Sequence, residues 1–393
     1  MRLLYIHDYS INERMANVIQ VLHMCQSFAL MGLDVTLATP ESDGVDSKRI
    51  RGIAAEIINK DIKFGFINYK KITFRGHFDL VGGYPGVKAL LRECKADVCF
   101  LRNCIFLNLL LNSRVPVIYE SHNAVLHHTK YVDHFLIDSL RKSSGAPQFL
   151  KFVCISEALA NFWKEKGMPA EKIIGLHDAV DAEAYKETIQ KEIARNILSL
   201  DEHKKIVLYA GSLYRNRGIE NIISLAGYFP DVIFIVLGGT KQEIGYYGNV
   251  VQRDGIDNIA FRGHVLHHQV KMYLYAADVL LMIWSRQVPT INYCSPLKTF
   301  EYMASGRPIV GHAFPTIKEV LEDGVTAFLS DPDSFEDLRA KLHQAIHSRD
   351  AVVVGQRARE DALNKYTWEK RTQDILDAVD WRSLDATKGS NIK

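Results

Sequence analysis

The sequence predicts an α/β protein built from two successive units of similar size. Short apolar runs that each feed a polar turn or a helix recur along the chain, and the rhythm breaks once, at residues 186–205, before it restarts. Size agrees: 393 residues with 47% hydrophobic content bury more core than a single domain usually holds.

The first unit opens with a strand at Leu3 to Ile6, followed by a helix whose apolar residues Val18, Val21, Leu22, Cys25, Phe28 and Ala29 keep helical spacing up to Gly32. "DVTLA" at 34–38 is the next strand, and "ADVCFLR", "VPVIYES" and "KFVCISEALANFW" repeat the alternation. The highly charged "KETIQKEIARNILSLDEHKK" at 186–205, with Ile189, Ile193, Ile197 and Leu200 on one face, is expected to connect the units, so that the first ends at 185. The second, 206–365, reads as strand "IVLYAG", helix "IENIISLAGYF", strands "VIFIVLGG" and "IAFRGHV", helix "HQVKMYLYAA" and strand "DVLLMIW". Residues 366–393 read as a terminal helix, "YTWEKRTQDILDAVDW", and a polar tail.

Composition excludes several classes. Forty-eight basic against 46 acidic residues, a formal charge of +2, do not make a polyanion-binding protein, so no nucleic acid partner is expected. Six scattered cysteines without a CxxC pair suggest neither a disulfide framework nor a zinc site, which fits the cytosol. The first ten residues hold too short an apolar run for a signal peptide, and "VLLMIW" falls far below the roughly 20 residues needed to cross a bilayer. The chain is expected to be cytoplasmic, with peripheral contact at the inner face of the cell membrane as the furthest it goes toward lipid.

The chemistry concentrates in "SPLKTFEYMASGRPIV", residues 295–310. Ser295 is expected as the N-cap of a helix, Pro296 as its first residue and Gly306 as its left-handed cap. Leu297, Phe300 and Ala304 share an inward face, and Glu301 lies on or beside it, where a carboxylate is costly unless something answers it. Lys298 in the first turn is unfavourable for the helix dipole, but a bound anion would reverse that argument by collecting the lysine and the N–H groups of Leu297 and Lys298. A solvated lysine is the plainer alternative.

A second cationic loop, "YAGSLYRNRGIENI", holds Gly211, Arg215, Arg217 and Gly218 at the carboxyl end of a strand, where open α/β sheets bind ligands. Its spacing is neither a dinucleotide fingerprint nor a Walker loop. Gly238 and Gly239 end one further strand, Gly263 and His264 another; tight turns would explain either pair.

The combination resembles the retaining GT-B glycosyltransferases of the large fourth sequence family, which use nucleotide sugars. "SPLKTFEYMASGRPIVGHAFPTIKEVLEDGVTAFL" is similar to the family's nucleotide-sugar segment, "YAGSLYRNRG" to its diphosphate loop, "KIIGLHDAVDAEAY" to a stretch that usually reads Asn-Gly-Val-Asp, and "YTWEKRTQDIL" to its closing helix. The likeness is densest from Ile206 to Leu329. It implies two Rossmann-like domains facing each other across a cleft, an N-terminal acceptor-side domain and a C-terminal donor domain, with the last helix returning toward the first.

By that resemblance Glu301 matches the second of two glutamates separated by seven residues and accepts hydrogen bonds from ribose hydroxyls. Arg217 matches a lysine that touches the diphosphate, His264 and Val265 a segment beside the base, and Leu297 a helix-start amide near the phosphates. Gly211, Ser212, Gly239, Ser295, Lys298 and Arg215 join the nucleotide-sugar side, and His122, in "YESHNAV", resembles an active-site histidine near the transferred sugar. Tyr293 stands where the first glutamate is usual, Ser212 where an arginine is usual, and "HDYSINERMAN" lacks the usual glycine pair. Tyr293 and Asn17 are assigned to the sugar or acceptor side.

The implied partners are a nucleotide-sugar donor and a glycan or lipid-linked acceptor, with no metal or other cofactor expected. The rival readings are a non-catalytic nucleotide-sugar-binding scaffold and a GT-B nucleotide-sugar epimerase. Three features are expected to be structural: Glu319 completing a capping box with Thr316, the histidine pairs starting at His127 and His267 on the surface, and the basic aromatic run 63–78 forming a loop and helix region unless it meets an anionic membrane or an acceptor.

Overall fold

The computed structural model describes residues 1–11, 16–41, 47–72 and 82–381. Two compact units make up the chain: Met1–Asp178 with Trp368–Lys393, and Ala179–Thr367. The sequence put the connection at 186–205 and the return at 366; the units change over at Asp178–Ala179 and Thr367–Trp368.

The first unit carries a wholly parallel sheet of β1 (Arg2–Ile6), β2 (Asp34–Pro40), β3 (Gly65–Tyr69), β4 (Val98–Leu101), β5 (Val117–Ser121), β6 (Phe149–Cys154) and β7 (Ile173–Gly175). Its order is β3-β2-β1-β4-β5-β6-β7. Strands covered on both faces need continuous apolar runs, and all four residues of β4 are buried. The run 63–78, expected as loop and helix, instead contributes β3, because Phe66 and Ile67 register against Leu37 and Ala38 of β2; its residues from 73 onward lie outside the described ones.

The helix Trp368–Asp377 packs within this first unit. Trp368 stacks on His23 at 5.5 Å, and the Thr372 and Ser27 hydroxyls lie 2.6 Å apart. The tail expected after it lies outside the described residues.

The second unit holds β8 (Lys205–Ala210), β9 (Val232–Leu237), β10 (Ile259–Gly263), β11 (Val279–Met282), β12 (Ile309–His312) and β13 (Phe328–Ser330), again all parallel, in the order β10-β9-β8-β11-β12-β13. Alternate residues serve opposite faces. Ile206, Leu208 and Leu280 pack with Phe300 and Met303, whereas Val207, Phe234 and Leu281 pack with Ile222 and Leu342.

Residues 191–197 form a helix of this unit, but Ile193 and Ile197 are exposed and Ala194 and Arg195 are buried instead. The reason is the Arg195 guanidinium, which donates to the carbonyls of Ala276, Asp201, Glu202 and Lys204 and to Asp278 at 2.5 Å, locking the helix to the starts of β8 and β11.

Both sheets reverse strand order once, between β1 and β4 and between β8 and β11. Such switch points leave a crevice at the carboxyl ends of the strands.

Candidate active site

In the second unit the crevice is walled by the helix Leu297–Ser305 and by the turn after β8. The helix starts one residue later than expected: Pro296, with ψ 126°, is the N-cap, and Ser295 precedes it, buried. Extended backbone at Pro296 leaves the helix to begin at Leu297. Gly306 closes it at φ 72°, its N–H donating to Met303 O. Thr299, Phe300, Met303 and Ala304 anchor the buried face, and Tyr302 reaches β8, where its hydroxyl accepts from Ala210 N at 2.8 Å.

Lys298 is held over the crevice by aromatic rings. Its Nζ lies 4.3 Å from the Tyr209 ring centroid, 4.7 Å from that of Trp284 and 3.4 Å from Ala210 O. The Arg217 guanidinium takes Trp284 from 5.3 Å and Tyr214 from 5.3 Å, and donates to Tyr214 Oη at 2.8 Å. Its buried Nε has no hydrogen-bond partner among the described residues. Burial, and then the Arg217 cation, hold the Lys298 ammonium well below the usual lysine value, with only the Cys294 thiol opposing them. Two cations thus converge on one indole at the switch point, a costly arrangement for the protein alone.

The glycines around them allow close approach. A Cβ on Gly238, whose φ is 106°, would stand 2.1 Å from Gly211 O, so the turns after β8 and β9 touch backbone to backbone. A Cβ on Gly211 would reach within 3.3 Å of Lys298 Nζ, and one on Gly239 would meet Leu213. Ser212 is exposed, and its carbonyl accepts from Tyr209 Oη. Arg215 is also exposed, with its guanidinium 4.9 Å from the Tyr246 ring. Past the end of β10, His264 is exposed and Val265 packs against the core.

Glu301 is answered by an imidazole. His267 Nε2 lies 2.6 Å from Glu301 Oε1, and the carboxylate raises the His267 pKa. His267, expected on the surface, is therefore half-buried in an ion pair, because it opens its own helix directly against the carboxylate. Tyr293 is half-buried in the turn before the Leu297 helix, its N–H bonded to Thr290 O. Glu319 does not complete a capping box: Phe314 is the N-cap, the helix Pro315–Lys318 ends before Glu319, and Thr316 Oγ1 donates to Ile291 O.

The first unit's crevice gathers charge around Glu120, a fully buried carboxylate on β5. It accepts from Gln20 Nε2 at 2.8 Å and Arg371 Nη1 at 3.0 Å, lies 2.5 Å from His122 Nε2 and faces Arg102 Nε at 3.8 Å. Burial alone would raise its pKa, but Arg371, His122 and Arg102 outweigh it and hold the carboxyl well below the usual range. Burial and Arg102 push His122 down to about 4 against the opposing pull of Glu120, so the imidazole is neutral. A neutral ring that donates Nε2–H to Glu120 keeps Nδ1 as its acceptor. Asn17 lies in the first turn of the helix Ala16–Leu30, and its carbonyl accepts from Arg102. His127, also expected on the surface, is buried, its Nδ1 accepting from Thr129 N.

The structure therefore brings Gly211, Arg217, Leu297 and Lys298 to one crevice and sets Arg215 against Tyr246. Sequence reasoning missed Trp284, Tyr302, His267 and Glu120. Glu120 was accessible to the logic applied to Glu301, since it is a carboxylate inside the apolar run "VPVIYES".

Comparison with known proteins agrees with this architecture. The sequence model of glycosyl transferases group 1 matches residues 190–365, and that of glycosyltransferase family 4 matches residues 18–184. WcaI of Escherichia coli, named for glycosyl transfer in colanic acid biosynthesis, is 26% identical over 219 residues, covering 54% of this chain and 53% of its own. The lipopolysaccharide 1,2-N-acetylglucosaminetransferase of Salmonella typhimurium is 25% identical over 57% of this chain and 60% of its own. The chain thus spans about half to three fifths of the length of these relatives.

Among solved structures, Anabaena HepE in complex with UDP and glucose superposes with a TM-score of 0.73 at 15% identity, over 96% of this chain and 98% of that one. Sucrose-phosphate synthase from Thermosynechococcus elongatus gives 0.76 at 17% identity, over 98% and 100%. With one family model on each unit and this fold throughout, the chain belongs to the GT-B glycosyltransferases, of the family 4 type.

Proposed function

We propose that the chain is a retaining glycosyltransferase that moves a sugar from a nucleoside diphosphate sugar to a glycan or lipid-linked acceptor in surface polysaccharide biosynthesis. The observation that carries this reading is the convergence of Lys298 and Arg217 on Trp284 at the β8/β11 switch point. Two cations in that position suit a diphosphate, which supplies the missing charge and a partner for Arg217 Nε. The relatives' names point to polysaccharide and lipopolysaccharide synthesis, and HepE was solved with UDP and with UDP-glucose, which favours a uridine nucleotide as donor.

In the reaction the bond between the anomeric carbon and the diphosphate oxygen breaks as the acceptor hydroxyl oxygen bonds to that carbon from the same face. The departing diphosphate takes the acceptor's proton. Arg217, Lys298 and the first-turn N–H groups at Leu297 stabilise the charge that develops on the leaving oxygen. Glu301 receives the ribose hydroxyls, and His122 positions the transferred sugar. The reaction is assigned to the cytoplasmic side; among the described residues no helix is long and apolar enough to cross a membrane.

Isothermal titration with UDP, GDP and ADP tests the donor site. Binding of one of them that Arg217→Ala weakens supports it, and equal binding by wild type and variant overturns it. A scaffold that only binds nucleotide sugar is the second reading, favoured by Tyr293 and Ser212 in place of family residues. Release of nucleoside diphosphate from the bound donor without acceptor rules for the transferase; binding without release rules for the scaffold.

A further inference from the structure

His122 is backed by buried charges that the transfer chemistry leaves unused. The ring lines a hollow of about 390 Å³ with its side chain 20% exposed, and behind it stand Glu120, fully buried, and Arg371, 3% exposed. Arg371 comes from the helix Trp368–Asp377. It donates Nη1 to Glu120 Oε2 at 3.0 Å, Nε to His177 O at 2.8 Å and Nη2 to Leu176 O at 3.2 Å, so the carbonyls that follow β7 and the carboxylate on β5 share one guanidinium. The other carboxylate oxygen, Oε1, lies 2.5 Å from His122 Nε2 and accepts from Gln20 Nε2 at 2.8 Å. Arg102, whose Nη1 donates to Asn17 O, stays 3.8 Å from Oε1, beyond hydrogen-bond reach, so Arg371 is the cation bonded to Glu120.

Stability alone does not explain the pair. Two charges taken out of water rarely hold a fold better than well-packed apolar residues of the same volume. The carboxylate has instead a property that no isosteric amide shares: it accepts hydrogen bonds and donates none. Facing Nε2 of a neutral imidazole it admits a single tautomer, protonated at Nε2, and leaves Nδ1 as the acceptor. A glutamine in its place could turn either its oxygen or its amino group to the ring, and both tautomers would fit. Arg371 fixes the carboxylate in turn. Its planar fork is held by two backbone carbonyls, and by engaging Oε2 it leaves Oε1 to the ring and Gln20.

We propose that Glu120 and Arg371 are positioning residues for the transfer reaction: Arg371, on the terminal helix, orients Glu120, and Glu120 fixes His122 as the Nε2–H tautomer whose Nδ1 accepts a hydroxyl hydrogen of the transferred sugar. The contact with the sugar rests on the transferase reading above; the control of the tautomer by Glu120 and Arg371 does not.

The test uses the full-length protein. Long-range proton–nitrogen NMR reads the His122 tautomer, its signals assigned by their absence in His122→Phe, and turnover is read as UDP released from UDP-glucose, UDP-galactose or UDP-N-acetylglucosamine. Near pH 7 the wild-type ring should be protonated at Nε2 alone; an Nδ1–H or doubly protonated ring overturns the proposal even if no variant folds. Glu120→Gln should show both tautomers and lower kcat about 10- to 100-fold with the donor KM unchanged within about twofold, the mark of lost positioning and not of lost binding. Arg371→Lys, which keeps the charge and loses the fork, should lower kcat by about tenfold in the wild type and no further in Glu120→Gln, because both residues act through one ring. An unchanged tautomer and kcat in Glu120→Gln, or additive losses from the two variants, overturns it. The two readings fail separately. A wild type that turns over none of the three donors, yet keeps an Nε2–H ring that Glu120→Gln releases, sinks the transferase reading and keeps the control of the tautomer. A wild type that turns one over at a kcat Glu120→Gln leaves intact sinks the positioning alone.

Discussion

Lys298 and Arg217 share the indole of Trp284, at 4.7 and 5.3 Å from its centroid. The ring is the common partner of two like charges, one from the first turn of a helix and one from the turn after β8, and both suit an anion. Each charge-assisted bond to a diphosphate is worth about 1.5–3 kcal/mol. Arg217→Ala and Lys298→Met are therefore expected to weaken nucleoside diphosphate binding by about 10- to 100-fold each, and monophosphate binding by less. Calorimetric titration of both ligands checks this.

Nucleotide binding should also depend on pH through Lys298. Its pKa in the free protein lies well below the usual value, and a bound diphosphate raises it, so binding takes up a proton between the two values. The sign follows: affinity is full below the depressed pKa and falls as pH rises from there toward the bound value. Titrations in buffers of different ionisation heat should show proton uptake on the alkaline side, and Lys298→Met should abolish it. Equal uptake in the variant would assign the proton elsewhere.

How far the sequence reached follows from the range of the interactions involved. Lys298 was legible because its anomaly is local: a cation in the first turn of a helix contradicts the dipole whatever the tertiary structure. The parallel sheets were legible from buried apolar runs. Trp284 and His267 were not, since a tryptophan ending a strand or a histidine opening a helix breaks no local rule until Lys298 or Glu301 is brought to it. Arg371 is the extreme case, 251 residues from the Glu120 it pairs with. The two helix-start errors, at Ser295 and Thr316, have one cause: Pro296 and Phe314 take the extended N-cap conformation themselves.

The ion pair between His267 and Glu301 gives the proposed ribose contact a test. His267 Nε2 lies 2.6 Å from one Glu301 oxygen, Oε1. Glu301→Gln is expected to lose about tenfold in affinity for the ribonucleotide and little for its 2′-deoxy,3′-deoxy analogue, since a hydroxyl bonded to a charged acceptor is worth about 1.5–3 kcal/mol. Competition between the two nucleotides reads the difference, and an unchanged preference would remove Glu301 from the ribose.

Asp178, which stands where the resembling family usually has asparagine, is buried beside the Glu120 and Arg371 pair. Burial pushes its pKa up to about 7, against Arg371 and with Glu120. A carboxyl raised in the folded state binds its proton more tightly there than in the unfolded chain, whose value is about 3.9. Its contribution is therefore full below pH 4 and is lost as pH rises toward 7. Asparagine keeps the shape of the protonated acid and cannot ionise. Asp178→Asn should melt close to wild type below pH 4 and clearly above it at pH 8, with activity assays checking that the fold is unchanged. A variant that melts lower than wild type at pH 8 would mean that the ionised carboxylate, paired with Arg371, is what the fold requires.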